Sequence, residues 1–229
     1  TRGVTMANAA HLPDGYLATM QRRYGGTVTG RQELLGEIVE DHDGALWTRP
    51  LLDRQRVAGR PQPLRVLVGV DPPAGRGTCG IVVVALGEDG HGFVLEDASV
   101  TGQRPEHWAR AVVAAADRWQ ADRIVAETNQ GGEMVAAVLK AVDAALPLHQ
   151  VRASRGKVVR AEPVASLYGE GRVFHCGVFP ALEDQLCGLL HSGVYAGPGA
   201  SPDRADALVW ALTALMLEGR RSEPGIRFL

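Results

Sequence analysis

Four acidic residues stand where carboxylates can act together. Asp71 closes the apolar run VLVGVD before Pro72, Pro73 and Gly75 break the chain, and Glu127 closes RIVAE shortly before Gly131-Gly132. Asp203 and Asp206 fall in the first turns of the helix read from SPDRADALVWALTALMLEG. If the strands ending in Asp71 and Glu127 are parallel neighbours, their carboxyl ends share the sheet edge at which open α/β sheets place their sites. The late helix could bring Asp203 and Asp206 to the same place. Carboxylates drawn together disfavour one another's ionisation, and a divalent cation resolves that conflict. Mg2+ takes carboxylate oxygens and keeps several waters. Two such ions about 3.5–4 Å apart activate a water and stabilise a leaving oxygen in phosphodiester cleavage. Each acid alone has a structural account: a strand-end aspartate caps a turn, and an acid in a first helical turn complements the dipole. The combination carries the chemical reading.

Other chemistry is narrower. Arg152, Arg155, Lys157, Arg160 and Arg172 crowd the segment VRASRGKVVRAEPVASLYGEGR. They read either as a solvated helix face or as a track for phosphates, which binds without reading sequence. The glycines of DPPAGRGTCG lack the G-x-x-x-x-G-K-[ST] pattern, and that pattern occurs nowhere in the chain, so no P-loop ATPase site is present. His175 and His191 read as packing or surface residues, since hard cations prefer oxygen. Trp47, Trp108, Trp119 and Trp210 read as core or interface residues. The three cysteines, Cys79, Cys176 and Cys187, lack metal-ligand spacing and read as reduced thiols of a cytosolic protein. A net charge of -2 argues against a strongly basic nucleic-acid coat but is compatible with a local basic groove.

The elements that must position these residues follow from periodicity. LRVLVGVD, TCGIVVVALG and FVLEDASV read as three strands, the last two joined by a hairpin at Asp89-Gly90. RPEHWARAVVAAADRW switches to helical period, with Trp108, Val112, Ala115 and Trp119 on one stripe. ADRIVAE is a fourth strand, QGGEMVAAVLKAVDAAL a helix, and PLHQVRA a fifth strand. Three more helices are read from GKVVRAEPVASLYGEG, FPALEDQLCGLLHS and SPDRADALVWALTALMLEG, with RVFH a short strand or extended piece among them. In the last helix Ser201 suits the N-cap and Pro202 the first position. The expected fold is α/β: a mixed five-stranded sheet, an antiparallel meander plus parallel strands, flanked by helices. Residues 1–62 read as a linker, with two helices in PDGYLATMQRRYG and GRQELLGEIVED and a connection punctuated by Pro61 and Pro63. Residues 63–220 form the domain and 221–229 a tail. No apolar run is long enough to span a bilayer. The opening residues do not read as a signal peptide, and the chain begins without Met, as a fragment of something larger would.

The order β-β-β-α-β-α-β, with acids in the first strand, the fourth strand and a late helix, is similar to that of RNase H-like nucleases. VGVDPPAG, IVAETNQGGEMV, VRASRGKVVRAEPVASLYGEGRVFH and SPDRADALVWALT together resemble the C-terminal nuclease domain of phage terminase large subunits, in the version of prophages and gene-transfer-agent clusters. YGGTVTGRQELLGEIVEDHDGALWT resembles the stretch joining the packaging ATPase to that nuclease. The resemblance implies that Asp71, Glu127 and Asp206 are catalytic and hold two Mg2+ or Mn2+ ions, with Asp203 an auxiliary ligand. It implies an endonuclease that cuts double-stranded DNA with little sequence specificity during packaging, in the cytoplasm of a bacterial host. Its implied partners are DNA, the terminase ATPase domain, the portal and the small terminase subunit. Two other readings stay open: a RuvC-like junction resolvase on the same fold, and a non-catalytic domain that only grips DNA or docks on the motor. An actin-like ATP-binding fold shares the strand order but needs a second glycine-rich phosphate loop, which is not found.

Overall fold

The computed structural model describes residues 12–13, 15–16, 18–20, 30, 42–59, 61–73, 75, 77–128 and 132–218. The helix expected from GRQELLGEIVED lies outside the described residues except for Gly30, and so does the tail 221–229. Of the earlier expected helix, Tyr16 and residues 18–20 are described and helical.

The elements run α1 (Arg49–Arg54), β1 (Pro63–Asp71), β2 (Thr78–Gly87), β3 (Gly92–Asp97), β4 (Val100–Thr101), α2 (Pro105–Trp119), β5 (Arg123–Glu127), α3 (Gly132–Val142), β6 (Leu148–Val151), α4 (Lys157–Gly169), β7 (Val173–His175), α5 (Pro180–Cys187) and α6 (Asp203–Leu212). After α6 the chain widens into a π turn over Thr213–Leu217. The sheet has seven strands in the order β6-β5-β1-β2-β3-β7, with β4 paired to β2. β1, β2 and β3 form the antiparallel meander, while β5 lies parallel to β1, β6 to β5 and β7 to β3. The five expected strands are all present. The two additions are β4, a two-residue strand, and β7, the RVFH segment placed on the sheet's far edge.

The sheet is covered on both faces, which is why its central strands read as continuous apolar runs. Side chains alternate between faces. Val66, Val68 and Val70 pack with Ile81, Val83, Ile124 and Ala126 under α2 and α3. Leu67, Val82, Val84 and Val125 pack on the other face under α4, α5 and α6. Trp108, Val112 and Ala115 are buried along α2, as their spacing predicts.

Part of the segment expected to be a linker joins this second core. Leu46, Trp47 and Leu52 are buried in it. The backbone pairs there as well, His175 N–H donating to Gln55 O (2.8 Å) and Val57 N–H to His175 O (2.9 Å). Trp47 meets the ring of Tyr168 edge-on at 5.8 Å.

Candidate active site

Strand alternation puts Asp71 on the face of Leu67 and Gly69, and Glu127 on the face of Val125, so both acids point toward α6. The parallel pairing of Val70 with Ala126 makes Asp71 and Glu127 the next residues on adjacent strands. Helix α6 lies directly on β1 and β2 because two glycines allow it. A Cβ at Gly69 would meet the Ala207 carbonyl oxygen at 2.0 Å, and one at Gly80 would meet the Asp203 oxygen at 1.9 Å. This close approach of backbone to sheet is what brings the first turns of α6 to the strand ends.

The start of α6 differs from the expectation in one respect. Pro202, not Ser201, is the cap, and the helix begins at Asp203, because Pro202 (φ -85, ψ 51) is not helical. The Ser201 hydroxyl serves the acids instead: it accepts from Lys157 Nζ at 3.0 Å and bonds the Asp203 carboxylate. Asp206 N–H closes the first turn on Pro202 O at 2.8 Å.

Two cations enter the cluster from the first turn of α4. Lys157 Nζ donates to Asp206 Oδ2. Arg160 reaches Glu127 Oε2 at 3.3 Å and stands 3.6 Å from Asp206 Oδ1. The Arg160 guanidinium also lies 4.3 Å from the centre of the Trp210 ring, and Trp210 Nε1 donates to Glu127 Oε2 at 2.6 Å. Arg160 Nε is buried with no hydrogen-bond partner among the described residues, so stacking on the indole and attraction to two carboxylates hold the group there.

The electrostatics are those of crowded acids. Burial raises the Asp71 carboxyl well above its ordinary range, and the charges of Asp206, Glu127 and Asp203 raise it further against the pull of Lys157. Burial also raises Asp206, opposed by Lys157 and Arg160, and raises Asp203, opposed by Ser201, Lys157 and Arg204. Burial would lower Lys157, but Asp206, Asp71 and Asp203 outweigh it and raise it. The donors are all carboxylate oxygens, which suits a hard divalent cation. Among the described residues, no three Asp, Glu, His or Cys side chains form a ready-made group that could hold one ion. Lys157 and Arg160 supply the neutralising charge in this arrangement.

The predicted basic residues divide. Arg152 and Arg155 are exposed on the loop after β6, at the same sheet edge as Glu127, which pairs with Val151. Lys157 and Arg160 face the acids. Arg172 is not brought to the site: it follows the far end of α4 and pairs with Glu170 at 3.6 Å. His175 is fully buried, bonded by Nε2 to the Tyr168 hydroxyl (2.9 Å) and by Nδ1 to Glu183 (3.2 Å). Sequence reading missed the indole of Trp210 as a partner of Glu127. The signal available was spacing, since Asp203, Asp206 and Trp210 at i, i+3 and i+7 share one helix face.

The family model described as Terminase RNaseH-like domain matches residues 68–215. The fold is similar to the large terminase nuclease from thermophilic phage G20c with bound magnesium, at 16% identity over 75% of this chain and 98% of that one, with a TM-score of 0.58. The same nuclease with bound cobalt aligns at 15% identity over the same shares, with a TM-score of 0.57. The HK97 bacteriophage large terminase aligns at 13% identity over 89% of this chain and 51% of its own, with a TM-score of 0.58. This chain therefore corresponds to about half of that large terminase. No curated protein sequence matches the chain.

Proposed function

The chain belongs to the terminase RNaseH-like domain family, and from that premise we propose that it is a metal-dependent endonuclease cutting double-stranded DNA with little sequence preference during viral-type packaging. The observation that carries the reading is the convergence of Asp71, Glu127, Asp203 and Asp206 on one sheet edge, with Asp71 raised by burial and further by its acidic neighbours. Asp71, Glu127 and Asp206 would hold two Mg2+ or Mn2+ ions, and Asp203 would assist. Ions held there would supply the activation of a water and the stabilisation of the leaving oxygen of the phosphodiester. The G20c nuclease with bound magnesium and cobalt supports a divalent cation at this fold.

The chain's own residues prepare the site. The close seat of α6 on Gly69 and Gly80 fixes the acids of the helix against those of the strands. Lys157, half-exposed and bonded to Asp206, supplies at that carboxylate the positive charge that a bound cation would supply in its place. Arg152 and Arg155 flank the edge and grip phosphates without reading bases. The ATPase domain, the portal and the small terminase subunit are the partners this reading assigns, in the cytoplasm of a bacterial host.

Linearisation of supercoiled plasmid tests the proposal. Cleavage should require Mn2+ or Mg2+ and stop with EDTA. Changing a residue that only supports a metal ligand costs about 10–100-fold, so Asp71→Asn and Glu127→Gln should each lose roughly 100-fold or more. Metal-independent DNA binding without cutting would reject the nuclease in favour of a gripping domain. A strong preference for four-way junctions would favour a resolvase.

A further inference from the structure

Helix α6 carries more to the site than its acids. Trp210 lies one turn beyond Asp206 on the same face, only 8% exposed, and its indole N–H ends on Glu127 Oε2. Arg160 stacks over that indole and reaches the same carboxylate oxygen, while its other nitrogen approaches Asp206. Three side chains from α4, α6 and β5 thus form a closed arrangement around one carboxylate. A buried donor to a carboxylate makes a strong, charge-assisted bond, and two donors on one oxygen fix the plane in which the carboxylate can turn.

We infer that Trp210 and Arg160 are positioning residues: the indole N–H, braced by the stacked guanidinium, sets the orientation in which Glu127 meets a cation. The inference rests on the proposed metal site and adds to it the element that aims one of its ligands. It also separates the roles of the two cations. Lys157, 45% exposed and bonded to Asp206, can move away; Arg160, 10% exposed and stacked, stays.

The test is ion binding, independent of cleavage. Tb3+ is a hard, oxygen-seeking ion whose emission is sensitised by a nearby indole. It is titrated into the wild-type chain and its variants, with binding followed by calorimetry and by sensitised emission. Trp210→Phe keeps an aromatic face for Arg160, on a smaller ring, but removes the N–H donor. Its Tb3+ affinity, read by calorimetry because the sensitising indole is gone, should fall about 10–100-fold, the usual loss on removing a partner of a ligand. Arg160→Lys keeps the charge but loses the fork and the stack, and should weaken binding in the same range even where Trp210→Phe disturbs folding. Trp119→Phe, whose indole bonds Glu96 on the opposite face of the sheet, should match wild type in both readouts. Wild-type affinity in both Trp210→Phe and Arg160→Lys would overturn the inference while leaving the metal site standing. Equal binding by wild type and Asp71→Asn would instead bring down the metal-site reading, and the inference with it.

Discussion

The Asp71 carboxyl is pushed up by burial and then by Asp206 and Glu127, so the folded chain holds at neutral pH a group that ionises more readily when unfolded. The sign of the linkage follows. Below the unfolded value, about 3.9, the carboxyl is protonated in both states and the penalty is absent. As pH rises toward the folded value the penalty grows, and stability is lost. Asp71→Asn removes it. In EDTA at pH 7 the variant should be more stable to urea than the wild type by about 0.5–2 kcal/mol, the ordinary gain from relieving an unfavourable site. The gap should close near pH 4, while plasmid cleavage is lost. A variant less stable than wild type at pH 7 would mean that Asp71 is held in the fold by attraction instead. The same residue shows why the meeting of acids was legible early: two apolar strands ending in Asp71 and Glu127 place both carboxylates at one sheet edge once the strands pair in parallel. Trp210 was harder to read, because an indole in an apolar helix looks like core until its N–H has an acceptor, and that acceptor lies 83 residues away.

Among the elements, α6 decides whether the acids meet. Its backbone rests on β1 and β2 at Gly69 and Gly80, where any Cβ strikes a carbonyl of the helix and not a movable side chain. Gly80→Ala should therefore lift the turn that bears Asp203 and Asp206. The expected loss is about 1–3 kcal/mol, as for other insertions into a packed core, and cleavage should fall with it. Gly169→Ala, at the last residue of α4 with nothing within 4 Å of its Cβ, should be neutral or stabilising. Urea midpoints for the pair measure the contrast; equal midpoints would show that α6 can shift without penalty. Element type was readable from periodicity because β1 and β2 are apolar on both faces and α2 is amphipathic. What periodicity does not encode is distance between elements. Glycine at 69 and 80 inside strand patterns was the trace of a close approach, but only the folded arrangement names α6 as its cause. In the same way, a basic run along α4 gives no hint that Lys157 and Arg160 turn inward while Arg172 leaves at the other end.

At the scale of the whole molecule, residues 45–57 are tied to the sheet by charge as well as by packing. Glu183, buried on α5, accepts from Arg56 Nη1 at 3.0 Å and lies 3.2 Å from His175 Nδ1. Arg49 pairs with the neighbouring Asp184. Composition did not reveal this, since HDGALWTRPLLDRQRVAG mixes short apolar clusters with charged residues around Pro50, without a run long enough to show a period. Burial alone would raise Glu183, but the bonds from His175 and Arg56 outweigh it and hold the carboxyl at about 2, from an ordinary 4.5. A depressed acid adds stability above its unfolded value and loses it as pH falls through the folded one. The wild-type chain should therefore lose stability between about pH 5 and pH 2, with a contribution of roughly 3 kcal/mol from this one group at 1.36 kcal/mol per pKa unit. Glu183→Gln should flatten that part of the profile and, at pH 7, be less stable by about 3–5 kcal/mol, because Arg56 is left without its buried partner. Urea unfolding at pH 7 and pH 3 checks both. If Glu183→Gln keeps the full acid slope, the acid sensitivity of the chain does not come from Glu183.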